Sequence, residues 1–490
     1  MATVIREERP VLRLPTAAGR WVLAATVLGS AIAAIDATVI GIALPAIGKD
    51  LHAELSSLQW IITAYTLTLT GLLLFGGALG DRFGRRRIFV VGVVIFAAAS
   101  VLCGLAPDVT LLTVARALQG IGGALLTPGS LAILQASFVP DDRPAAIGAW
   151  SGLGGVATAL GPLLGGWLVQ AASWRLIFFI NLPLALAVMV IAARHVPETR
   201  SPPSGAPLDL AGAVLITTAL MAITFALIEG PHHGWTSTAV IGSIAAGGAL
   251  LAAFVVRELR VADPILPLTI FRNRSFTATT VVTFTMYGAL GGALFLLPMQ
   301  LQLVLGYSPV EAGVSLLPVT LLMLLLSKRS AGLAARIGPR LQMSVGPLLV
   351  ATGLALMLRI GIGSTYGTDV LPAVFVLGLG LATTVAPLTA TALSSAPAEH
   401  AGIASAVNND VARAGGLLAV AVLPPLAGLS GYAYLHPDSL SHGFHAAVTV
   451  CALVCAIAGP IAATSIRNPP TIRAARSAPH CCPLDAPPST

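Results

Sequence analysis

Fourteen predominantly apolar stretches, each long enough to cross a bilayer, follow one another with short polar breaks. They begin near residues 21, 56, 88, 109, 146, 174, 210, 238, 276, 310, 341, 370, 402 and 443. A hydrocarbon core about 30 Å thick takes roughly 20 residues of helix. Fourteen such segments in 490 residues leave almost nothing for a water-soluble domain. Inside lipid the backbone N–H and C=O groups must be satisfied within each segment, so an all-α integral membrane bundle is expected. Only 10% of the residues are charged and mean hydropathy is +0.89, against about 25% charged in soluble domains.

The net charge of +7 could suggest an acidic partner such as nucleic acid, but its placement says otherwise. With a cytoplasmic N-terminus, 22 of the 27 Lys and Arg residues fall in the two tails or in the loops that follow even-numbered spans. Lys49, Arg175 and Arg359 fall on the other side, and Arg116 and Arg413 lie within spans. This is the bias that orients membrane proteins, so both termini are expected inside and no nucleic-acid partner is expected. The composition, with 25 Arg and two Lys among abundant Ala and Gly, suggests a bacterial source of high G+C content. The five Cys have neither metal-site nor disulfide-framework spacing. Residues 21–45 run too long for a secretory leader and lack a cleavage pattern, so they are read as the first span.

The loop after the second span, Gly77-Ala78-Leu79-Gly80-Asp81-Arg82-Phe83-Gly84-Arg85-Arg86-Arg87, returns in worn form 254 positions later. Leu79, Arg82, Gly84 and Arg86 correspond to Leu333, Arg336, Gly338 and Arg340, while Asp81 corresponds to Ala335. The chain therefore reads as two duplicated membrane halves, as in transporters, one of which has lost its acid. Residues 1–20 form a cytoplasmic tail, 21–195 a six-helix bundle, 196–275 linkers around two inserted helices, 276–466 a second six-helix bundle and 467–490 a disordered Pro-rich tail.

Several polar residues interrupt the apolar spans. Asp36 lies mid-span, where an ionised carboxylate costs about 2.5–3.5 kcal/mol. It is either half of a fixed ion pair or a carboxyl that lines a wet cavity and exchanges a proton. Arg116 is the candidate partner, with Gln119, Gly120, Gly123 and Thr127 on its helical face, and Gln119 is expected to line the cavity or contact substrate. It could swing between partners as the protein changes shape or act as a static clamp. Gln59, Thr63, Thr66 and Thr70 form one stripe of the second span, facing a ligand or bonding to neighbouring helices. Asn409, Arg413 and Gly416 form another stripe in the thirteenth span, beside Asn408 and Asp410. Arg413 there either contacts cargo or neutralises Asp410. The fifth span carries Gly148, Gly152, Gly154, Gly155, Gly161, Pro162, Gly165 and Gly166, suited to close packing and bending. In the repeated loop, Arg85 to Arg87 would anchor topology by themselves, so the added Gly77, Asp81, Arg82 and Gly84 point to a gate between halves. His232 and His233 are expected to face solvent in an outer loop, and no metal site is expected.

The loop Gly77 to Arg87, Arg116 with Gln119-Gly120, and Gly161-Pro162 with Gly165-Gly166 together resemble the signature set of the major facilitator superfamily. Asp36-Ala37-Thr38-Val39 with Ala43-Leu44-Pro45, Trp174-Arg175 with Phe178-Phe179-Ile180-Asn181-Leu182-Pro183, and Leu305-Gly306-Tyr307-Ser308-Pro309 with Gly313 and Pro318 are similar to its fourteen-span drug:proton antiporter branch. The resemblance covers about residues 20 to 465. It implies the major facilitator fold, proton coupling at Asp36 with Arg116 as partner, a gate in which Asp81 with Arg82 and Arg85 steadies the outward-facing state, and an antiporter motif at Gly161-Pro162. The chain departs from the pattern at Gly41, where the family usually has Asn, at Ala157, often Gly, and at Ala335, often an acid.

The expected function is export of small amphipathic drugs or antibiotics by alternating access, driven by the proton gradient without a cofactor. A monomer in the bacterial inner membrane is expected, with a small lipophilic substrate, protons and lipid as its partners. Proton-coupled uptake of a metabolite and a non-transporting membrane sensor are the rivals. An enzyme is not expected, because the chain has no His-Glu-x-x-His, no Gly-x-Ser-x-Gly and no phosphate-binding Gly-x-x-x-x-Gly-Lys loop.

Overall fold

The structure, a computed structural model, describes residues 12–200, 209–261, 264–395 and 401–468. Most of the expected tails and part of the first linker lie outside the described residues. Thirteen helical segments are long and apolar enough to cross a membrane, and with Ala401–Leu426 they make fourteen. In chain order these are α1 Ala17–Asp50, α2 Leu55–Phe83, α3 Arg85–Gly104, α4 Val109–Ser137, α5 Arg143–Ala171, α6 Leu176–His195, α7 Leu210–His233, α8 Thr238–Arg260, α9 Arg274–Val304, α10 Pro309–Ile337, α11 Pro339–Arg359, α12 Tyr366–Ser394, α13 Ala401–Leu426 and α14 Pro437–Ser465.

Helix ends follow local chemistry. Thr16 Oγ1 accepts from Gly19 N at the start of α1, Asp108 Oδ1 accepts from Leu111 N at the start of α4, and Ser308 and Glu311 form a reciprocal capping box at the start of α10. Two spans are interrupted. Helix α6 breaks at Ile180 and α10 at Leu316, each just before a proline, Pro183 and Pro318, whose ring removes one ladder hydrogen bond and crowds the carbonyl four residues back. The last span starts at Pro437 rather than near 443, because proline at the first helical turn tolerates its missing N–H and carries the helix through polar Asp438 and His442.

The repeated loops are built alike. Gly84 and Gly338 stand at positive φ, +113° and +85°, a region costly for residues with a Cβ. Glu198 accepts from Arg86 N at 3.1 Å and Arg87 N at 3.2 Å, meeting orphan donors at the start of α3, and Arg86 Nη1 donates to Val196 O. In the second half Asn468 Oδ1 accepts from Arg340 N at 3.0 Å, and Arg340 Nε donates to Ala463 O. The second copy has thus lost negative charge twice, Asp81 becoming Ala335 and the Glu198 role passing to Asn468. Glu198→Ala should lower stability by about 1 kcal/mol, and Asn468→Ala by less because a neutral acceptor is weaker. Thermal melting of the purified protein measures both.

The arginine-rich ends of α2, α8 and α10 lie on one face of the molecule, termed here the basic end. The two bundles, α1–α6 and α9–α14, are joined at the far end. Leu55 N donates to Gly431 O at 3.0 Å, Tyr434 Oη to Ala53 O at 2.7 Å and Tyr432 Oη to His52 O at 3.2 Å. Burial pushes the Tyr434 hydroxyl up to about 12, so it remains a donor at physiological pH. Deeper in, Gln302 Nε2 donates to Ile42 O at 3.0 Å, and the backbones of α5 and α10 touch where Gly166 meets Pro309 and Gly313 meets Pro162. Toward the basic end their glycines have no such neighbour. Gly148, Gly152, Gly154 and Gly155 on α5 and Gly332 on α10 face open space. The inserted helices α7 and α8 pack as a pair, and α7 lies against both α2 and α13.

Candidate functional site

The centre of the first bundle holds a buried polar knot. Asp36 is 3% exposed and Arg116 is 1% exposed. Arg116 Nη1 donates to Asp36 Oδ2 at 2.5 Å and to Gln119 Oε1 at 2.5 Å, and Arg116 Nε donates to Ile61 O at 3.2 Å. Asp36 Oδ1 accepts from Gln119 Nε2 at 2.7 Å and Asn181 Nδ2 at 3.1 Å. Ser100 Oγ accepts from the same two amides at 2.9 and 3.2 Å. The guanidinium also lies 4.3 Å from the Tyr65 ring centroid and 5.8 Å from that of Phe178. Five helices therefore supply one network: α1, α2, α3, α4 and α6.

Three donors converge on the Asp36 carboxylate, two on Oδ1 and one on Oδ2. Each lies on a different helix or turn from Asp36, which makes the network sensitive to how α1 sits against α4 and α6. The expectation that Asp36 lines a wet cavity does not describe this conformation, because Arg116, Gln119 and Asn181 enclose it. Gln119, expected at a substrate surface, is fully buried and bonds Asp36, Arg116 and Ser100 instead. Ser100 and Asn181 were not singled out as site residues. The signal for Asn181 was an amide in an otherwise apolar span; a lone Ser in such a span carries none.

The expected polar stripe of α2 divides. Gln59 Nε2 donates to Val420 O at 2.6 Å and Ala421 O at 3.3 Å, so it stitches α2 to α13 rather than facing cargo. Thr63 is buried and returns its hydroxyl to Gln59 O, and Thr66 does the same to Ile62 O. Thr70 has no such partner. On α13, Asn409 is exposed and donates to Ser405 O, Asn408 Oδ1 accepts from Thr283 Oγ1, and Arg413 is half-buried. No ion pair joins Asp410 and Arg413 among the described residues. The neutralised pair considered from sequence is therefore not formed here.

In the repeated loop Arg85 donates to Asp81 Oδ1 through Nε at 2.8 Å and Nη2 at 2.6 Å, one helical turn apart across the Gly84 bend. Arg82 is exposed, and a Cβ on Gly77 would stand at ordinary contact distance from the Pro128 ring. The small residues of α5 are packing surfaces. A Cβ on Gly161 would strike the Thr38 side chain, and one on Gly165 would lie 2.9 Å from Val39 Cγ1. That seam lies two to three residues from Asp36 along α1, so α5 packs directly beside the acid. His232 and His233 close α7, exposed and within 3.4 and 3.5 Å of Glu54 and Glu229.

Residues 26–421 match the sequence profile of the Major Facilitator Superfamily. The chain belongs to the Major Facilitator Superfamily. Among its relatives, the tetracenomycin C resistance and export protein of Streptomyces glaucescens is 40% identical over 82% of this chain and 74% of its own length. A puromycin resistance protein of Streptomyces alboniger is 38% identical over 88% and 85%. The multidrug efflux pump LfrA of Mycolicibacterium smegmatis is 35% identical over 86% and 83%. Among solved structures, the inward-facing, unoccupied form of a bacterial homologue of the lysosomal transporter Spinster aligns with a TM-score of 0.66, at 18% identity, over 92% of this chain and 97% of that one. The major facilitator fold accounts for two bundles that meet at one end.

Proposed function

We propose that this chain exports small amphipathic compounds, of the kind antibiotics represent, from a bacterial cell in exchange for protons. One observation supports the coupling above all others. Asp36 lies at mid-span and is held by donors from three other residues, Arg116, Gln119 and Asn181. The positive bias of the basic end supports a cytoplasmic orientation for that face and for both termini. In that orientation the joined far end faces outside, which supports a state that takes up cargo from the cytoplasm for export.

The proposed cycle follows. When the far-end contacts part and α5 moves on α1, Gln119 and Asn181 shift from Asp36, and a proton from outside takes their place on Oδ1. Protonation weakens the attraction of Arg116, which favours return to the inward-open form, where the network reforms and the proton leaves to the cytoplasm. For a neutral cargo, one proton moved through 100 mV supplies about 2.3 kcal/mol, enough for a concentration ratio of roughly 50, whereas exchange against a singly charged cation draws on the pH gradient alone.

Expression in a bacterial host stripped of its own pumps tests this reading. Wild-type protein should raise the tolerated dose of at least one lipophilic toxic compound severalfold, and a proton-gradient uncoupler should remove the gain of accumulation outside the cell. Greater sensitivity on expression would indicate uptake instead. An unchanged dose across a broad panel would reject export.

A further inference from the structure

A second feature of the membrane interior lies outside the Asp36 network. Between α2, α7, α8 and α13, in the basic half, is a cavity of about 180 Å³. Its walls are almost wholly hydrocarbon and aromatic, with Leu74, Phe75, Ile216, Leu220, Phe254 and Phe271 among them. Two polar side chains line it, Asp410 of α13 and Thr70 of α2. Thr70 is 8% exposed, and its Oγ1 has no hydrogen-bond partner, whereas Thr63, Thr66 and Thr68 on the same helix all bond to carbonyls. Asp410 Oδ1 is likewise sealed and unpartnered, although Arg413 lies one turn away. Buried polar groups are ordinarily bonded, so two partnerless oxygens in the walls of one apolar hollow point to a ligand that supplies the missing donors once these side chains turn toward it.

We infer that this lateral cavity binds a small aromatic amine in its protonated form, with Asp410 as counter-ion and Thr70 as acceptor of a second N–H. The size fits one ring with a short arm, since an engineered cavity of about 150 Å³ takes up benzene. Three phenylalanines suit both the ring and, through their faces, the cation. Lipid tails would satisfy the walls but neither polar atom. The site differs from the space between the bundles in that two inserted helices wall it, so it is specific to the fourteen-span build of this chain. The inference deepens the export reading by naming a cargo class, and rests on that reading only for its role in transport.

Full-length protein in nanodiscs, with empty nanodiscs subtracted, is tested by equilibrium dialysis against two probes of the same shape. One is phenethylamine, charged at neutral pH; the other is n-propylbenzene, which has a methyl group in place of the ammonium. Asp410→Asn should weaken phenethylamine binding at least about tenfold, the loss expected when a desolvated charge loses its partner. It should leave n-propylbenzene within about twofold, because the apolar walls that hold it are unchanged. Thr70→Val should weaken only phenethylamine, and Leu220→Trp, which fills the hollow, should weaken both. Equal phenethylamine binding by wild type and Asp410→Asn would overturn the site, and so would insensitivity of both probes to Leu220→Trp, the result if lipid occupies it. Should Asp410→Asn lose both probes through misfolding, Asp410→Glu decides: retained phenethylamine binding supports the site and lost binding rejects it. No gradient enters this assay, so failure of export would leave its outcome standing.

Discussion

Asp36→Asn is expected to collapse the concentration ratio of a neutral cargo that proteoliposomes sustain at 100 mV from roughly 50 to 1. Downhill exchange of cargo should survive, because Asn can still accept from Gln119 or Asn181 and the bundles can still rock. The same change leaves Arg116 charged, 1% exposed and without its anion. Breaking a buried pair in this way costs about 3–5 kcal/mol, which thermal melting would register. The two effects can be separated. Replacing both partners, Asp36→Asn with Arg116→Leu, should recover much of the lost stability, since the pair's attraction and its desolvation largely offset each other, yet restore no pumping. Pumping by either variant at the wild-type ratio would end the coupling role of Asp36.

Gly166→Leu should stop transport almost completely, whereas Gly155→Leu on the same helix should be tolerated. At Gly166 even a Cβ would press on the backbone of Pro309 and lie 2.9 Å from Val310 Cα, and backbone has no rotamer with which to yield. At Gly155 nothing lies within 4 Å. Overpacking of this kind costs about 1–3 kcal/mol and falls only on the state closed at the far end. A shift of that size changes the ratio of the two states about 5- to 150-fold. Labelling of single cysteines placed at Ala53 and at Gly155 should show the far end exposed more often and the basic end less often. A Gly166→Leu protein that transports normally would mean that α5 and α10 do not need to touch in the cycle.

The number of spans was legible in the sequence because hydropathy needs no partner to be read. The start of α14 was not, since Asp438 and His442 look like loop until Pro437 is recognised as a first-turn residue. Asp36 and Arg116 were found as a pair because a charge in lipid has few ways to be accommodated. The neighbours that complete the network were harder to assign. Gln119 and Gln59 look equivalent in sequence, each an amide on a polar stripe, and helical period says which residues share a face but not what that face meets. One face turned out to meet Asp36 and Ser100, the other the backbone of α13. Thr63 and Thr66 satisfied themselves on their own helix, which left only Thr70 of that stripe with an unmet hydroxyl. The neutral capping of the second repeated loop by Asn468 was also hidden, because the residue that replaces Glu198 stands at a different spacing from its loop.

Helix α7 rests on α2 from one half of the molecule and on α13 from the other. A two-body rocker can separate its halves without asking anything of a third element, but here separation drags on a shared neighbour. As α2 and α13 diverge, α7 must stay with one of them and peel from the other, or tilt to keep both. Either way a third moving part is added to the cycle, and the speed at which this protein turns over becomes a property of how loosely that extra helix is held.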